Sequence, residues 1–270
     1  MIRILTVLFL LAVSSFAQTP APLIADPGSR TTISLDGTWS SIVDPYESGI
    51  PGRYFEKEKP KSKSDLIEFD YDHSPKIKVP GDWSTQRESL LFYEGPIWYQ
   101  RKFSYQRKAH TRTYLYFGAA NYQARVWLNG TKLGEHIGGF TPFNFEVTDQ
   151  LTEGENSVVV EVDNTRHADG VPSSRTDWWN YGGLTRSVKL IEVPEAFIEN
   201  YFVQLAKGRS DEIDGRAQLD GSSHGAAVTV EIPEIHLKQA AQADASGRAT
   251  FHFPAKVQLW SPENPKLYKV

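Results

Sequence analysis

The sequence contains no cysteine among its 270 residues. This absence excludes disulfide bonds, thiol catalysis and zinc sites built from cysteine ligands. The folded chain must therefore be held together by packing and hydrogen bonds alone. A chain of this length can bury a substantial core without crosslinks, and it has room for one or two domains.

Several functional signatures are also missing. The seven histidines are scattered, and no HExxH, GxSxG, phosphate loop or dinucleotide fingerprint occurs. The net charge is -4 and no Lys/Arg stripe stands out, so nothing favours nucleic acid as a partner. The mixed-charge run Lys57–Lys63 predicts a solvated loop. The polar run Asp163–Asp169 lacks the regular oxygen spacing of a calcium loop. We therefore expect no cofactor and no metal.

One long apolar run is present, and it lies at the N-terminus. Arg3 is followed by the apolar stretch Ile4–Val13 and then by small residues ending at Ala17. This order is typical of a secretory signal peptide, here residues 1–17. As a membrane anchor the stretch is too short, because a spanning helix needs about 20 apolar residues. We expect a secreted or periplasmic protein with no membrane segment after cleavage.

Short runs rich in branched and aromatic residues begin at Ile33 and predict an all-β fold. Asn129-Gly130 separates two such runs and favours a two-residue hairpin turn, because both residues tolerate positive φ. The Asn129–Thr131 triplet also matches an N-glycosylation acceptor, but the turn explains it better. No helix longer than two turns is expected, and residues 234–245 are the best candidate for one.

The chain divides near Pro194. Residues 18–30, with several prolines and no apolar period, predict a flexible leader, and residues 31–193 predict a first β-sandwich. Residues 194–270 predict a second, smaller sandwich whose last strand begins near Lys266. An immunoglobulin-like sandwich needs about 100 residues, so we expect the second one to be incomplete. Its missing strands would leave an open edge and make it poorly stable.

Seven motifs occur in order along the chain, and each alone is a weak signal. Together they resemble the N-terminal half of glycoside hydrolase family 2, which contains β-galactosidases, β-glucuronidases and β-mannosidases. The motifs are LDGTW (35–39), VPGDW (79–83), WYQRKF (98–103), VWLNG (126–130), GGFTPF (138–143), DWWNYGGLTR (177–186) and LWSPENPKLY (259–268).

The resemblance implies a galactose-binding-like jelly roll followed by an immunoglobulin-like domain. In the family a (β/α)₈ barrel follows, and two of its glutamates hydrolyse β-linked glycosides by the retaining route. No barrel lies within these 270 residues, so no catalytic residue is assigned here and the barrel is an expected partner. The resemblance also allows a homo-oligomer. The stretch Asn180–Leu184 is closer to β-glucuronidase-like members than to β-galactosidase-like ones.

The resemblance also nominates Asp177 as a residue that binds sugar hydroxyls. An ionised carboxylate offers two acceptor oxygens to adjacent hydroxyls; the alternative is an aspartate that serves a turn. Trp178 is a weaker candidate, since an indole can stack on a pyranose, but it could equally pack beneath the loop together with Trp179. Tyr93 and Glu94 could line the same cleft or belong to a plain loop. Trp39, Trp83, Trp98 and Trp127 are predicted to pack in the core.

Three functions remain open at this point. The chain could be part of a retaining β-glycosidase that hydrolyses O-glycosyl bonds, with a β-linked glycan as substrate. It could be a free-standing carbohydrate-binding module without catalysis. It could also be a structural or interaction domain that braces an enzyme or a partner.

Overall fold

The computed structural model describes residues 22–56, 69–171, 173–221 and 225–270. The predicted signal peptide, residues 18–21 of the leader and the run Lys57–Lys63 lie outside these ranges. Among the described residues no helix is long and apolar enough to cross a membrane.

The described residues form fifteen strands, one short helix and two single 3₁₀ turns, so the prediction of an all-β fold is confirmed. The helix α1 (Trp83–Gln86) and the 3₁₀ turns Glu88–Leu90 and Pro233–Ile235 are all shorter than two turns. The strands are β1 (Thr31–Ser34), β2 (Gly37–Val43), β3 (Lys76–Val79), β4 (Pro96–Tyr105), β5 (Thr111–Phe117), β6 (Gln123–Leu128), β7 (Thr131–Ile137), β8 (Phe143–Glu146), β9 (Gly154–Asp163), β10 (Val188–Pro194), β11 (Phe197–Leu205), β12 (Glu212–Asp220), β13 (Ala227–Ile232), β14 (Leu237–Gln242) and β15 (Arg248–Pro254).

The first domain is a sandwich of two antiparallel sheets. One sheet has the order β1-β10-β5-β8 and the other has the order β3-β2-β4-β9-β6-β7. Strand β9 explains the valine run of the sequence, because both of its faces are covered. Val158, Val160 and Val162 face the core between the sheets, while Val159 packs into an aromatic cluster on the outer face. Residues buried on both faces need no polar alternation.

The four tryptophans predicted to lie in the core are buried, which confirms that prediction. Trp39 and Trp83 belong to the core between the sheets. Trp98 and Trp127 instead lie in the outer aromatic cluster, with ring centroids 5.2 Å apart. The buried carboxylate of Asp44 accepts a hydrogen bond of 3.0 Å from the Trp98 Nε1–H, so the indole nitrogen is satisfied.

The hairpin turn at Asn129-Gly130 is confirmed. It joins β6 to β7, and φ is 52° at Asn129 and 83° at Gly130. The Asn129 side chain donates to the Gln150 carbonyl (2.9 Å) and to Asn156 Oδ1 (2.8 Å), and its Oδ1 accepts from the Ser157 N–H (3.0 Å). The amide that a glycan would modify is therefore already committed to contacts within the sandwich.

The described part of the leader, residues 22–30, contacts the sandwich through Ile24. Ile24 is buried against Tyr114, Ile191 and Phe197, and its N–H donates to Asn144 Oδ1 at 3.0 Å. The flexibility of the leader stays a prediction. The contact of Ile24 was not foreseen, because a single buried apolar residue produces no periodicity that a sequence pattern could reveal.

The second domain contains a three-stranded sheet, β11-β12-β15, and a hairpin of β13 and β14. Residues 234–245, the best helix candidate, instead hold a 3₁₀ turn and strand β14, because Leu237–Gln242 pairs along β13. No strand begins at Lys266, which corrects that prediction; the Tyr268 hydroxyl accepts from the Gln258 N–H at 2.7 Å instead.

The two domains are joined through Arg112 on β5. Its guanidinium forms hydrogen bonds of 2.9 and 2.8 Å to the two carboxylate oxygens of Glu146 and one of 2.8 Å to Asp220 on β12. It also lies 5.3 Å from the centre of the Phe197 ring. The Arg112 hydrogen bond lowers the pKa of Glu146. One cation thus ties a first-domain strand to the second domain.

Replacing Asn129 with alanine should destabilise the first domain by about 3–5 kcal/mol. The change removes three part-buried hydrogen bonds, each worth about 1 kcal/mol net, and leaves a residue that tolerates positive φ poorly. Thr131→Ala is the control, because Thr131 is exposed in the same turn. Urea unfolding followed by circular dichroism measures the difference. Equal midpoints for the two variants would contradict the assigned role.

Arg112→Met should lower the free energy of unfolding at pH 7 by about 2 kcal/mol, because it leaves two partly buried carboxylates without their partner. Because the pKa of Glu146 is lower in the folded state than its ordinary value of 4.5, the ionised carboxylate stabilises the folded state at any pH above 4.5. This stabilisation is lost as the pH falls through the lowered pKa of the folded state. The difference from wild type should therefore shrink below about pH 4.5. Arg209→Met, which removes the ion pairs of an exposed arginine with Asp211 and Glu212, is the control and should have little effect.

Candidate functional site

The loop between β9 and β10 carries the motif 177–186, and two buried asparagines close its base. The Asn164 Nδ2 donates to the Asn180 carbonyl at 2.9 Å, and the Asn180 Nδ2 donates back to the Asn164 carbonyl. Asn164 is fully buried and Asn180 is 8% exposed. This reciprocal pair joins the two ends of a sixteen-residue excursion of the chain, so the loop leaves the sandwich from a fixed base.

The motif after Asn180 packs directly on the VPGDW motif. The backbone N–H of Trp83 donates to the Gly182 carbonyl at 3.0 Å. A Cβ at Gly182 would lie 2.1 Å from Trp83 Cζ2, so only glycine allows the backbone to approach the indole. Gly183 exchanges backbone hydrogen bonds of 2.9 and 3.1 Å with Asn121, and the Asn121 Nδ2 donates to the Tyr181 carbonyl at 2.7 Å. Two sequence motifs thus form one rigid cradle.

The proposed sugar-contacting side chains extend from the outer part of this loop. Asp177 is exposed and has no hydrogen bond or ion pair within the described part of the chain. Trp178 is 62% exposed and Trp179 is 44% exposed, so neither indole packs beneath the loop. Trp179 contacts the ring of Phe92, with centroids 5.2 Å apart. The carboxylate and the indoles are therefore available to a ligand, and their role stays a prediction.

A residue that the sequence reasoning missed holds the backbone on both sides of Asp177. The Arg166 Nη1 donates to the Thr176 carbonyl at 2.9 Å, and its Nη2 donates to the Trp178 carbonyl at 3.0 Å. Its Nε lies 3.0 Å from Glu94 Oε1. No sequence motif indicates Arg166, because two of its three partners are backbone carbonyl groups, which any residue type supplies.

The turn 91–95 was expected either to line the cleft or to be a plain loop. It lies beside the Asp177 loop, since Phe92 meets Trp179 and Glu94 meets Arg166. Tyr93 has a different role: it packs on Trp83 and its hydroxyl donates to the Pro96 carbonyl at 2.9 Å. Burial raises the pKa of Tyr93 to about 12, so the phenol stays protonated at neutral pH.

The chemistry available at this loop is binding. Asp177 offers two acceptor oxygens and the indoles offer flat apolar faces, which suits hydroxyls and the C–H face of a pyranose. Within the run 163–169, Asp163 Oδ1 is used internally: it accepts from the Thr165 N–H (2.8 Å) and from the Thr165 hydroxyl (2.7 Å). No cluster of three or more His, Asp or Glu side chains suited to a metal ion occurs among the residues that the structure describes.

Comparison with known proteins gives a consistent class. The family model for the sugar-binding domain of glycosyl hydrolases family 2 matches residues 32–194. A β-glucuronidase of Paenibacillus borealis is 27% identical over 266 residues, covering 90% of this chain and 42% of the relative. A β-galactosidase of Thermoanaerobacter pseudethanolicus is 31% identical over 241 residues, covering 78% of this chain and 31% of the relative.

A solved β-glucuronidase structure from an uncultured Clostridium species superposes with a TM-score of 0.74 at 25% sequence identity. The alignment covers 93% of this chain and 44% of that chain. The aligned region makes up only 25%, 20% and 42% of three curated relatives. The chain therefore spans less than half the length of each of these proteins.

The fold and the matched domain define a sugar-binding β-sandwich of the carbohydrate-active enzymes. More specifically, the chain belongs to glycoside hydrolase family 2, through the family's N-terminal sugar-binding domain. The predicted galactose-binding-like jelly roll is confirmed.

Gly182→Ala should destabilise the first domain by about 1–3 kcal/mol, because the added methyl group overlaps the Trp83 indole and the buried cradle cannot widen freely. Gly28→Ala is the matched control: its Cβ would meet nothing closer than 3.8 Å. Thermal unfolding followed by tryptophan fluorescence compares the two. A wild-type melting temperature for Gly182→Ala would show that the cradle does not depend on this close approach.

Proposed function

We propose that this chain is the N-terminal, substrate-contacting part of a retaining β-glycosidase that hydrolyses O-glycosyl bonds. The observation that carries the proposal is the unpaired, exposed carboxylate of Asp177 on a loop with a fixed base, within a family 2 sugar-binding domain. A carboxylate left without a partner on an ordered loop is free to accept hydrogen bonds from a ligand.

Asp177 binds and orients the sugar in this proposal. Its two oxygens accept hydrogen bonds from neighbouring hydroxyls, and Trp178 supplies an apolar face for the ring. Bond cleavage by the retaining route needs two carboxyl groups about 5 Å apart. We place that pair in a catalytic barrel outside these residues, and this chain supplies scaffold and binding contacts.

The proposed substrate is a β-glucuronide, with a β-galactoside as the second choice. Relatives named as β-glucuronidases and as β-galactosidases both match the chain. The similarity of Asn180–Leu184 to the β-glucuronidase-like members favours the first. From the N-terminal pattern we also propose that the protein acts in the periplasm or outside the cell, and that its β domains support a homo-oligomer.

A free-standing carbohydrate-binding module is the second candidate. The first domain favours it, because its core contains fully buried residues such as Trp39, Tyr99 and Leu115 and does not rely on another domain for closure. The complete reading frame separates the two candidates. Barrel-like βα repeats after Val270 support the glycosidase, and their absence together with glycan binding by this chain supports the module.

Asp177→Asn in the protein encoded by the complete reading frame should lower kcat/KM for 4-nitrophenyl β-D-glucuronide about 10- to 100-fold. The variant keeps the shape of the side chain but loses the charge, and hydrogen bonds to a charged acceptor are worth about 1.5–3 kcal/mol. Asp169→Asn is the matched control, since Asp169 is exposed in the same loop. Unchanged turnover for Asp177→Asn would contradict the proposed sugar contact.

A further inference from the structure

We propose that Arg166 is a positioning residue that holds Asp177 and Trp178 in the orientation in which they meet a sugar. This inference rests on the proposed function, because it assigns Arg166 a role in the same site. Arg166 reaches its partners from the opposite arm of the loop, twelve residues before Trp178. It touches no substrate in this proposal and acts only through the backbone of its neighbours.

The geometry of the two carbonyl contacts supports the role. The Thr176 carbonyl belongs to the peptide plane before Asp177, and the Trp178 carbonyl belongs to the peptide plane after Trp178. Both point at the same guanidinium, at 2.9 and 3.0 Å. A peptide unit is planar, so only the torsions at Asp177 and Trp178 lie between the two held planes. The Arg166 guanidinium therefore restricts the backbone of Asp177 and Trp178, the two residues whose side chains project outward.

Glu94 completes the arrangement by compensating the charge of Arg166. Its Oε1 lies 3.0 Å from the Arg166 Nε, and the side chains are 23% (Arg166) and 38% (Glu94) exposed. A lone guanidinium beside the loop would attract the nearest free carboxylate. Glu94 thus balances the charge of Arg166, and the Asp177 carboxylate has no ion pair within the described part of the chain. The same turn also places Phe92 against Trp179, so two contacts connect the turn 91–95 to the Asp177 loop.

The rest of the loop is held without Arg166, so its loss should act locally. The His167 carbonyl accepts from the N–H groups of Gly170 (3.1 Å) and Ser174 (3.2 Å). The Asn164 and Asn180 pair closes the base. A variant at position 166 should therefore loosen residues 176–178 while the sandwich stays folded.

Only arginine can donate to both carbonyl groups while it keeps its charge beside Glu94. Its planar fork presents donors in fixed directions, whereas lysine ends in a single ammonium group. Arg166→Lys therefore keeps the charge opposite Glu94 and loses at least one of the carbonyl contacts. This variant separates the fork geometry from the charge, and Arg166→Gln removes both.

The first measurement is the mobility of the loop in this 270-residue chain. The ¹⁵N order parameters of Asp177 and Trp178 should be about 0.85 in the wild type, as in a rigid backbone, and below about 0.6 in Arg166→Lys and Arg166→Gln. Arg175→Gln is the matched control, because Arg175 is an exposed arginine of the same loop. Melting temperatures within a few degrees of wild type show that the variants fold. Unchanged order parameters in both variants overturn the proposal.

The second measurement is a kinetic double-mutant cycle in the protein from the complete reading frame, with 4-nitrophenyl β-D-glucuronide as substrate. Arg166→Lys should lower kcat/KM at least tenfold when Asp177 is present and by a clearly smaller factor in the Asp177→Asn background, where only the effect through Trp178 remains. Equal losses in both backgrounds overturn the positioning role while leaving the Asp177 contact intact. If Asp177→Asn leaves kcat/KM unchanged, the proposed function and this inference are both overturned.

Discussion

The candidate site depends on the packing of the Gly182 backbone against the indole of Trp83. This contact sets where the returning arm of the loop meets the sandwich, because no side chain fits between the two. The Asn121, Asn164 and Asn180 amides then satisfy the polar backbone groups that the close approach buries. Each of these donors would leave a costly unpaired group if its partner were lost, although Asn121 Oδ1 itself is buried without a hydrogen-bond partner among the described residues. The base of the loop is thus fixed by the sandwich, whereas Arg166 holds the backbone of residues 176–178.

Much of the fold could be predicted from the sequence because its signals are local. Alternating and branched residues indicated the strands, and Asn129-Gly130 indicated its own turn. Three features could not be predicted in this way: the burial of Ile24, the strand at Leu237–Gln242, and the hydrogen bonds of Arg166 to the loop backbone. Ile24 is held by partners distant in the sequence, and Arg166 is held by backbone carbonyl groups. Leu237–Gln242 is a strand because it pairs with its neighbour β13, and none of these partners leaves a pattern along the chain.

The two domains bury their cores to different depths. The first core contains many residues with no exposed surface, such as Trp83, Leu128 and Val160, whereas core residues of the second, such as Val230 and Ile213, retain 8% and 5% exposure. Leu259 and Trp260 in the closing stretch are more than half exposed. Large exposed apolar groups of this kind mark surfaces that other protein can cover. The contact through Arg112 therefore joins the first domain, whose core is fully buried at many positions, to the second, whose core residues keep some solvent exposure.

The turn at Asn129-Gly130 also bears on the chemical durability of the protein. An asparagine followed by glycine deamidates when the next backbone nitrogen attacks the side-chain carbonyl and closes a five-membered ring. The Asn129 amide would first have to release Gln150, Asn156 and Ser157, whose hydrogen bonds hold it in the sandwich. Ring closure is therefore coupled to unfolding of the hairpin, and chemical ageing at this position should report how often the first domain opens.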